Sequence, residues 1–478
     1  MPDSDIERLR DAIDCAWEEA HNFGLDPFPT HFELVPATIM YEFASYTLPG
    51  RFSHWTHGKA YHRQKMMYDF GLSKIYEMVV NTNPSYAFLM DMNDLLQNTF
   101  VAAHVFGHTD FFKNNAYFQH TSKRMIDKVS IHAERIAKYE FDHGKLEVER
   151  FLDAVLSIQE HVDYNLLLRD DESTKTEEKT TTTEGEYDDL WGLEKKAKKA
   201  EEEREKNRGK PPKFPEKPEK DILLFLSRYA PQMQPWQRDI IEIVRTEMLY
   251  FVPQMQTKIL NEGWASIWHS RIMRKLGDRG IISDSETIEF ATLHSGVLSP
   301  SPTSLNPYYL GFKMLEDIEQ RWDNPTTEEQ ERMGRKPGMG HQKIFEVREL
   351  ENDVSFLRNY LTKDLIKDLD LYLYKKEGDE WVIVEKDWCK VRDGIVASMT
   401  NFGYPYLVVD NGDYHGNREL YIKHLFEGQE LDLVYGEKTL QHVYTLWGRP
   451  VHIETLYEGK RILLSYDGER NTKTSLEK

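Results

Sequence analysis

Residues 101–112 read Val-Ala-Ala-His-Val-Phe-Gly-His-Thr-Asp-Phe-Phe, and they leave the chain few ways to fold. A run this apolar belongs inside a packed body. Written as a helix, it sends His104 and His108, four residues apart, out of one face. Two imidazoles on a buried face need partners, either hydrogen-bonding groups or a cation. Gly107 between them costs roughly 1 kcal/mol of helix propensity. That makes sense where another backbone or a substrate approaches, or where the helix ends early. A second stretch of similar texture lies far along the chain, Asn261-Glu-Gly-Trp-Ala-Ser-Ile-Trp-His269, and offers Glu262 and His269.

The chain is long enough, at 478 residues, to bury a large core around such helices. That length allows about three domains, or one large helical body with a smaller unit. A formal net charge of −20 opposes nucleic acid and anionic membrane surfaces at long range. Cys15 and Cys389 stand apart, outside any metal-ligand spacing, and two free thiols suit a reducing compartment. The first residues show no basic stretch leading into an apolar one, and no apolar run approaches the ~18 residues of a membrane span. The expectation is a cytoplasmic protein with no membrane-spanning segment and no nucleic-acid partner.

Apolar spacing predicts helices over much of 4–373, among them 4–22, Glu33 to Tyr46, the His104/His108 segment, 123–140, 144–168, a long one after Pro235, and Tyr308 to Trp322. Residues 75–80 and 86–90 read as strands or helix ends beside Asn81-Thr-Asn-Pro84. Between Asp170 and Lys220 the composition turns Thr/Glu-rich, then charged, then Pro/Lys-rich, as in a flexible surface insertion. Trp191 could instead anchor it as a docking segment. From about 379 the texture is that of strands separated by Asn411-Gly412, Glu427-Gly428, Glu458-Gly459 and Asp467-Gly468, with one helix from Gly436 to Trp447. The expected fold is α+β. A predominantly helical body comprises residues 1–169 with the histidine pair and 221–375 with Glu262. The 170–220 insertion interrupts it, and a small α+β domain over 376–478 follows.

Five blocks carry a resemblance to the stage V sporulation protein R family. They are Pro49-Gly-Arg-Phe-Ser-His-Trp-Thr-His-Gly-Lys-Ala-Tyr61, Tyr68-Asp-Phe-Gly-Leu-Ser-Lys-Ile-Tyr-Glu77, His104-Val-Phe-Gly-His108-Thr-Asp-Phe-Phe-Lys-Asn-Asn115, Asn261 to His269, and Leu446-Trp-Gly-Arg-Pro-Val-His452. The resemblance implies a cytoplasmic bacterial protein, linked in spore formers to making the spore cortex and found in other bacteria too. It brings no settled biochemical activity with it.

A more distant resemblance concerns chemistry. Zinc peptidases of the glutamate-zincin type take two histidines at i, i+4 from one helix and a glutamate from a later Asn-Glu-Gly-aromatic-Ala helix. His104, His108 and Glu262 match those three places, which implies a glutamate-zincin-like body and a divalent metal. Zinc is the first expectation, and iron or manganese suits nitrogen and oxygen ligands as well. The chain departs from the pattern at Val105, where those enzymes carry the general-base glutamate. Another carboxylate, Glu42 or Glu134, would have to reach the water, or the site does different chemistry or none. His269, nearly two turns after Glu262, is a candidate catalytic or supporting group or a ligand to another metal, and His294 a further ligand. Asp110, Glu289 and His161 complete the candidates. Arg51, His54, His57 and His62 crowd one segment and suit either a polar or anionic substrate or plain solvation.

Two functions from different classes follow. One is a metal-dependent hydrolase acting on an amide, with a cell-wall peptide or precursor as substrate through the cortex link. The other is a non-catalytic regulatory or assembly protein. It would bind a protein, peptide or cell-wall partner through its C-terminal domain and keep the His/Glu cluster as a structural metal site or polar core. No nucleotide-binding glycine loop and no nucleophile elbow is present in the sequence.

Overall fold

The computed structural model describes residues 3–69, 77–167, 214–300, 304–378 and 380–476, and the chain divides into two units. The first joins Met1–Leu152 to Ile243–Tyr404, and the second joins Asp153–Glu242 to Pro405–Lys478. The fold is α+β and largely helical in the first unit, as expected. Most of the 170–220 insertion, Trp191 included, lies outside the described residues.

In the first unit, helix α1 (Asp3–Asn22) leads into strand β1 (Thr30–Val35), then α2 (Ala37–Tyr46) and α3 (Trp55–Asp69). The helix expected from Glu33 therefore holds only from Ala37. Residues 30–35 instead pair in parallel with β3 (Ser85–Met90), whose other edge takes β2 (Glu77–Val80) antiparallel. Four consecutive β3 residues, Ala87 to Met90, are buried, so this central strand is covered on both faces.

Helix α4 (Leu95–Asn114) follows the sheet. Asp94 and Gln97 close a capping box at its start, and the helix is buried without a break from Asn98 to Phe112. Next come α5 (Met125–His143), α6 (Lys145–Leu156), α7 (Ile222–Tyr229), α8 (Pro235–Gln256) and α9 (Lys258–Asp278). The remaining helices of the first unit include α10 (Asp284–Val297), α11 (Pro307–Asp323), α12 (Thr327–Met333), α13 (Gly340–Leu350), α14 (Asp353–Tyr360), α15 (Lys363–Asp368) and α16 (Trp388–Met399).

Helix α9 is the keystone, and two glycine contacts set its place. A Cβ on Gly107 of α4 would sit 2.6 Å from the Ala265 Cα, and one on Gly263 would collide with the Gly311 backbone of α11. The helices thus meet backbone to backbone on both sides of α9. Asp353 fixes its first turn by accepting 2.9 Å bonds from the Ile259 and Leu260 amides.

The second unit is built on a five-stranded sheet, β10-β9-β8-β7-β6, antiparallel except where β7 (Glu419–His424) meets β8 (Val451–Tyr457). Helix α17 (Leu433–Trp447) makes that parallel crossover. The Glu458-Gly459 turn between β8 and β9 (Lys460–Tyr466) has φ of 49° and 72°, the primed geometry of two-residue hairpins. Asn411-Gly412 is not a turn; β6 (Leu407–Tyr414) runs through it with an irregular register, and β10 is Asn471–Ser475.

The two units divide the chain after Leu152, Glu242 and Tyr404. Strands β4 (Leu373–Glu377) and β5 (Glu380–Glu385) pair with each other, and α16 packs Val391 and Val396 into the helical core. Helix α7 goes with the sheet: Phe225 stacks on Trp447, and Glu219 exchanges backbone bonds with Val409.

Candidate metal centre

The facing of α4 and α9 brings together what the sequence separates. As numbers fall along α4 they rise along α9: His108 meets Asn261, Gly107 meets Ala265, and His104 meets His269. The two helices therefore run antiparallel. His104 and His108 leave α4 on the face that Glu262 approaches from α9. Glu77, the first residue of edge strand β2, reaches the same two imidazoles.

The distances are compatible with groups sharing one ion. His104 Nε2 lies 3.3 Å from Glu77 Oε1 and 3.5 Å from Glu262 Oε2. His108 Nε2 lies 3.7 Å and 3.5 Å from the same two oxygens. Metal–ligand bonds of about 2.0–2.2 Å in a tetrahedral set place ligand atoms about 3.3–3.6 Å apart. Glu77, His104 and His108 offer ligand atoms all within 4.8 Å of one another, and Glu262 stands against both imidazoles. His104 Nε2 and Glu262 Oε2 are buried, face each other, and make no hydrogen bond. Two such atoms orphaned together fit a shared cation, which satisfies both at once.

The outer nitrogens are held as ligating histidines require. His108 Nδ1 donates to Asn261 Oδ1 at 2.9 Å, leaving Nε2 toward the carboxylates. His104 Nδ1 lies 2.7 Å from His269 Nδ1, and His269 Nε2 lies 2.8 Å from His294 Nδ1. With Nε2 of His104 turned to the carboxylates, its Nδ1–H donates to His269, which donates in turn to His294. Tyr308, in the first turn of α11, stacks on His104 with centroids 6.0 Å apart, and its hydroxyl meets Glu262.

Charge follows from this geometry. Burial works against a proton on His108, but the carboxylates of Glu262 and Glu77 outweigh it and hold the imidazole up to about 10. Burial likewise opposes the Glu262 carboxylate, and the facing imidazoles overcome it, holding Glu262 well below the usual range. Burial and the neighbouring histidines keep His269 neutral. The Tyr308 hydroxyl is pushed up by burial and by the two carboxylates, so it stays a donor.

Other sequence candidates are placed elsewhere. Glu42 and Glu134 are exposed on α2 and α5, and Glu289 on α10; their elements turn them to the surface. His269 lies behind His104, with no exposure, so it supports a ring rather than meeting a substrate. His294, a helix further out, reaches the cluster only through His269 and does not join the ligand atoms. Asp110 accepts from the Asp26 amide and Trp264 Nε1, both at 2.8 Å, and braces α4. His161 belongs to the second unit. Arg51 pairs with Glu247 at 2.6 Å, His54 and His57 are buried, and His62 is exposed. These four make no bond to the His/Glu cluster among those the structure records.

Sequence reasoning missed Glu77 and Tyr308. Glu77 ends one of the blocks that carry the family resemblance, which was a signal for it, whereas nothing about Tyr308 in sequence distinguishes it from Tyr309 beside it.

Residues 3–404 match the family described as SpoVR like protein, and residues 405–458 match the SpoVR-like C-terminal domain. Among curated proteins the chain is 28% identical over 469 residues to "Uncharacterized protein YcgB" of Escherichia coli (strain K12), covering 92% of this chain and 90% of that one. No solved structure matches.

Proposed function

The chain belongs to the SpoVR family, and from that premise we propose that its first unit is a divalent-metal hydrolase acting on an amide bond. The convergence of His104, His108 and Glu262 from two antiparallel helices carries this reading. Bound there, zinc or a similar ion would supply Lewis acidity and lower the pKa of water. Every other role falls to the chain's own groups.

Glu77 answers the problem posed by Val105. Its carboxylate stands at the same two imidazoles, where it can accept the proton of an attacking water. Tyr308 keeps its hydroxyl proton and stands beside Glu262, where it can donate to an oxygen that gains charge as a carbonyl is attacked. Asn261 and His269 hold the two imidazoles in register. The proposed substrate is a cell-wall peptide or precursor, supported by the cortex link of the family.

A second reading is favoured by one distance. Glu77 Oε1 is as close to His104 as Glu262 is, so both carboxylates could ligate and close the site as a structural centre. The test is Glu77→Gln in the zinc-loaded chain, offered peptidoglycan-derived peptides and read by mass spectrometry alongside metal content. Cleavage by the unmodified chain, lost in the variant while its metal remains, supports the hydrolase. Loss of metal from the variant, with no cleavage by either protein, favours the closed centre.

A further inference from the structure

Between α4 and α10 lies a cleft of about 330 Å³, lined by Gln97, Phe100, Thr292, Leu293, Gly296 and Val297. We infer that this cleft is a subsite for an apolar group of the substrate, an inference that rests on the metal-hydrolase reading above.

Its position argues for this. Gln97, Phe100, His104 and His108 recur at three or four residues along α4, so they form one stripe on one face. The cleft thus begins one turn from the first metal-facing imidazole, about 6 Å along the axis. An extended peptide advances about 3.3 Å per residue, so a chain with its reacting amide at the carboxylate–imidazole cluster places a side chain two residues on at the cleft. Phe100 also packs edge-on to His269, with centroids 4.6 Å apart, and His269 holds His104 from behind. On α10, Leu293 and Val297 flank His294, which closes the same histidine chain.

Its chemistry names the occupant. Phe100, Leu293 and Val297 supply apolar walls, Gln97 and Thr292 are neutral, and no charged side chain lines it. The volume suits one aliphatic or aromatic group and not a whole second molecule. Gly296 leaves open space in the lining, because a Cβ there would meet nothing within 4 Å. That openness also provides the test, since a side chain grown from Gly296 can enter the cleft without displacing backbone.

The probes are acetohydroxamate and octanohydroxamate, titrated calorimetrically into the zinc-loaded full chain and its Gly296→Phe variant. A hydroxamate head engages the ion, and only the longer tail reaches the cleft. The expected result is that the tail tightens binding to the unmodified chain about tenfold or more, from burial of at least two methylenes. That gain disappears in Gly296→Phe, while acetohydroxamate binds both proteins alike and so certifies the variant's fold. Equal affinity for the two probes in the unmodified chain, or a tail advantage that survives Gly296→Phe, overturns the subsite and leaves the metal reading standing. Failure of acetohydroxamate to bind the unmodified chain overturns the metal reading, and the subsite falls with it.

Discussion

Asn261 Oδ1 lies 2.9 Å from His108 Nδ1, and that bond decides which ring nitrogen of His108 faces Glu77 and Glu262. Asn261 immediately precedes Glu262, so one turn of α9 delivers a carboxylate to the cluster and orients a ring within it. Removing the amide frees the ring to rotate or change tautomer. Asn261→Ala is expected to weaken metal binding about 10- to 100-fold, measured by competition with a chromogenic chelator, with helix content unchanged. Undiminished affinity would show that the ring is held by packing alone.

The glycine contacts make a prediction about stability. Gly107→Ala forces a methyl against the Ala265 backbone, and α4 and α9 must part to admit it. The expected loss is about 1–3 kcal/mol of unfolding free energy in denaturant titration, together with weakened metal binding. Gly296→Ala on α10 has open space and serves as the contrast: it gains helix propensity, up to about 1 kcal/mol. The same sign for both variants would contradict the close-approach account.

Much of this arrangement was legible before the fold. The i, i+4 spacing of His104 and His108 in an apolar run implied a buried helix, and Gly107 left open a close backbone, a substrate or an early helix end. The structure gives a close backbone, that of Ala265, in the very stretch that offered Glu262. What stayed hidden has physical causes. Glu77 sits in a strand of four residues, too short for periodicity to declare its facing. Tyr308 reaches the cluster because Gly311, one turn on, lets α11 approach α9, a tertiary relation that no local pattern encodes. Arg51 and His57 crowd one segment of sequence, yet their partners Glu247 and Tyr46 keep them in the interior, where a polar composition alone suggested a surface. Strands β4 and β5 have strand texture and, among the described residues, pair with each other.

Metal binding should release a proton. Without metal, His108 is held up to about 10 by Glu262 and Glu77, against burial, so at neutral pH it carries a proton between them. That raised value stabilises the metal-free fold below the ordinary histidine value of 6.5 and up toward 10, and the contribution fades as pH rises through 10. A metal must displace this proton. Calorimetry in buffers of different ionisation enthalpy should therefore find about one proton released per ion near pH 7, with affinity climbing about tenfold per pH unit. An affinity independent of pH between 7 and 9 would contradict it.

Acid should destabilise the first unit by a separate route. His57 is lowered from 6.5 to about 4 by burial, then by the Arg51 guanidinium and His54. Its Nδ1 is buried and makes no hydrogen bond. The fold favours the neutral ring, so this contribution is complete above 6.5 and is lost as pH falls through about 4. His57→Phe, placed among Tyr46 and Phe52, should flatten the fall in thermal midpoint between pH 6.5 and 4. An unchanged slope would assign acid sensitivity to other groups.

The most direct measurement is elemental analysis of the full chain purified without added metal, beside His104→Ala and Glu262→Ala. The account predicts about one transition-metal ion per chain in the unmodified protein and a small fraction of that in both folded variants. A metal-free chain that also takes up no zinc, iron or manganese on titration would contradict it. So would an ion that stays at full occupancy in either variant.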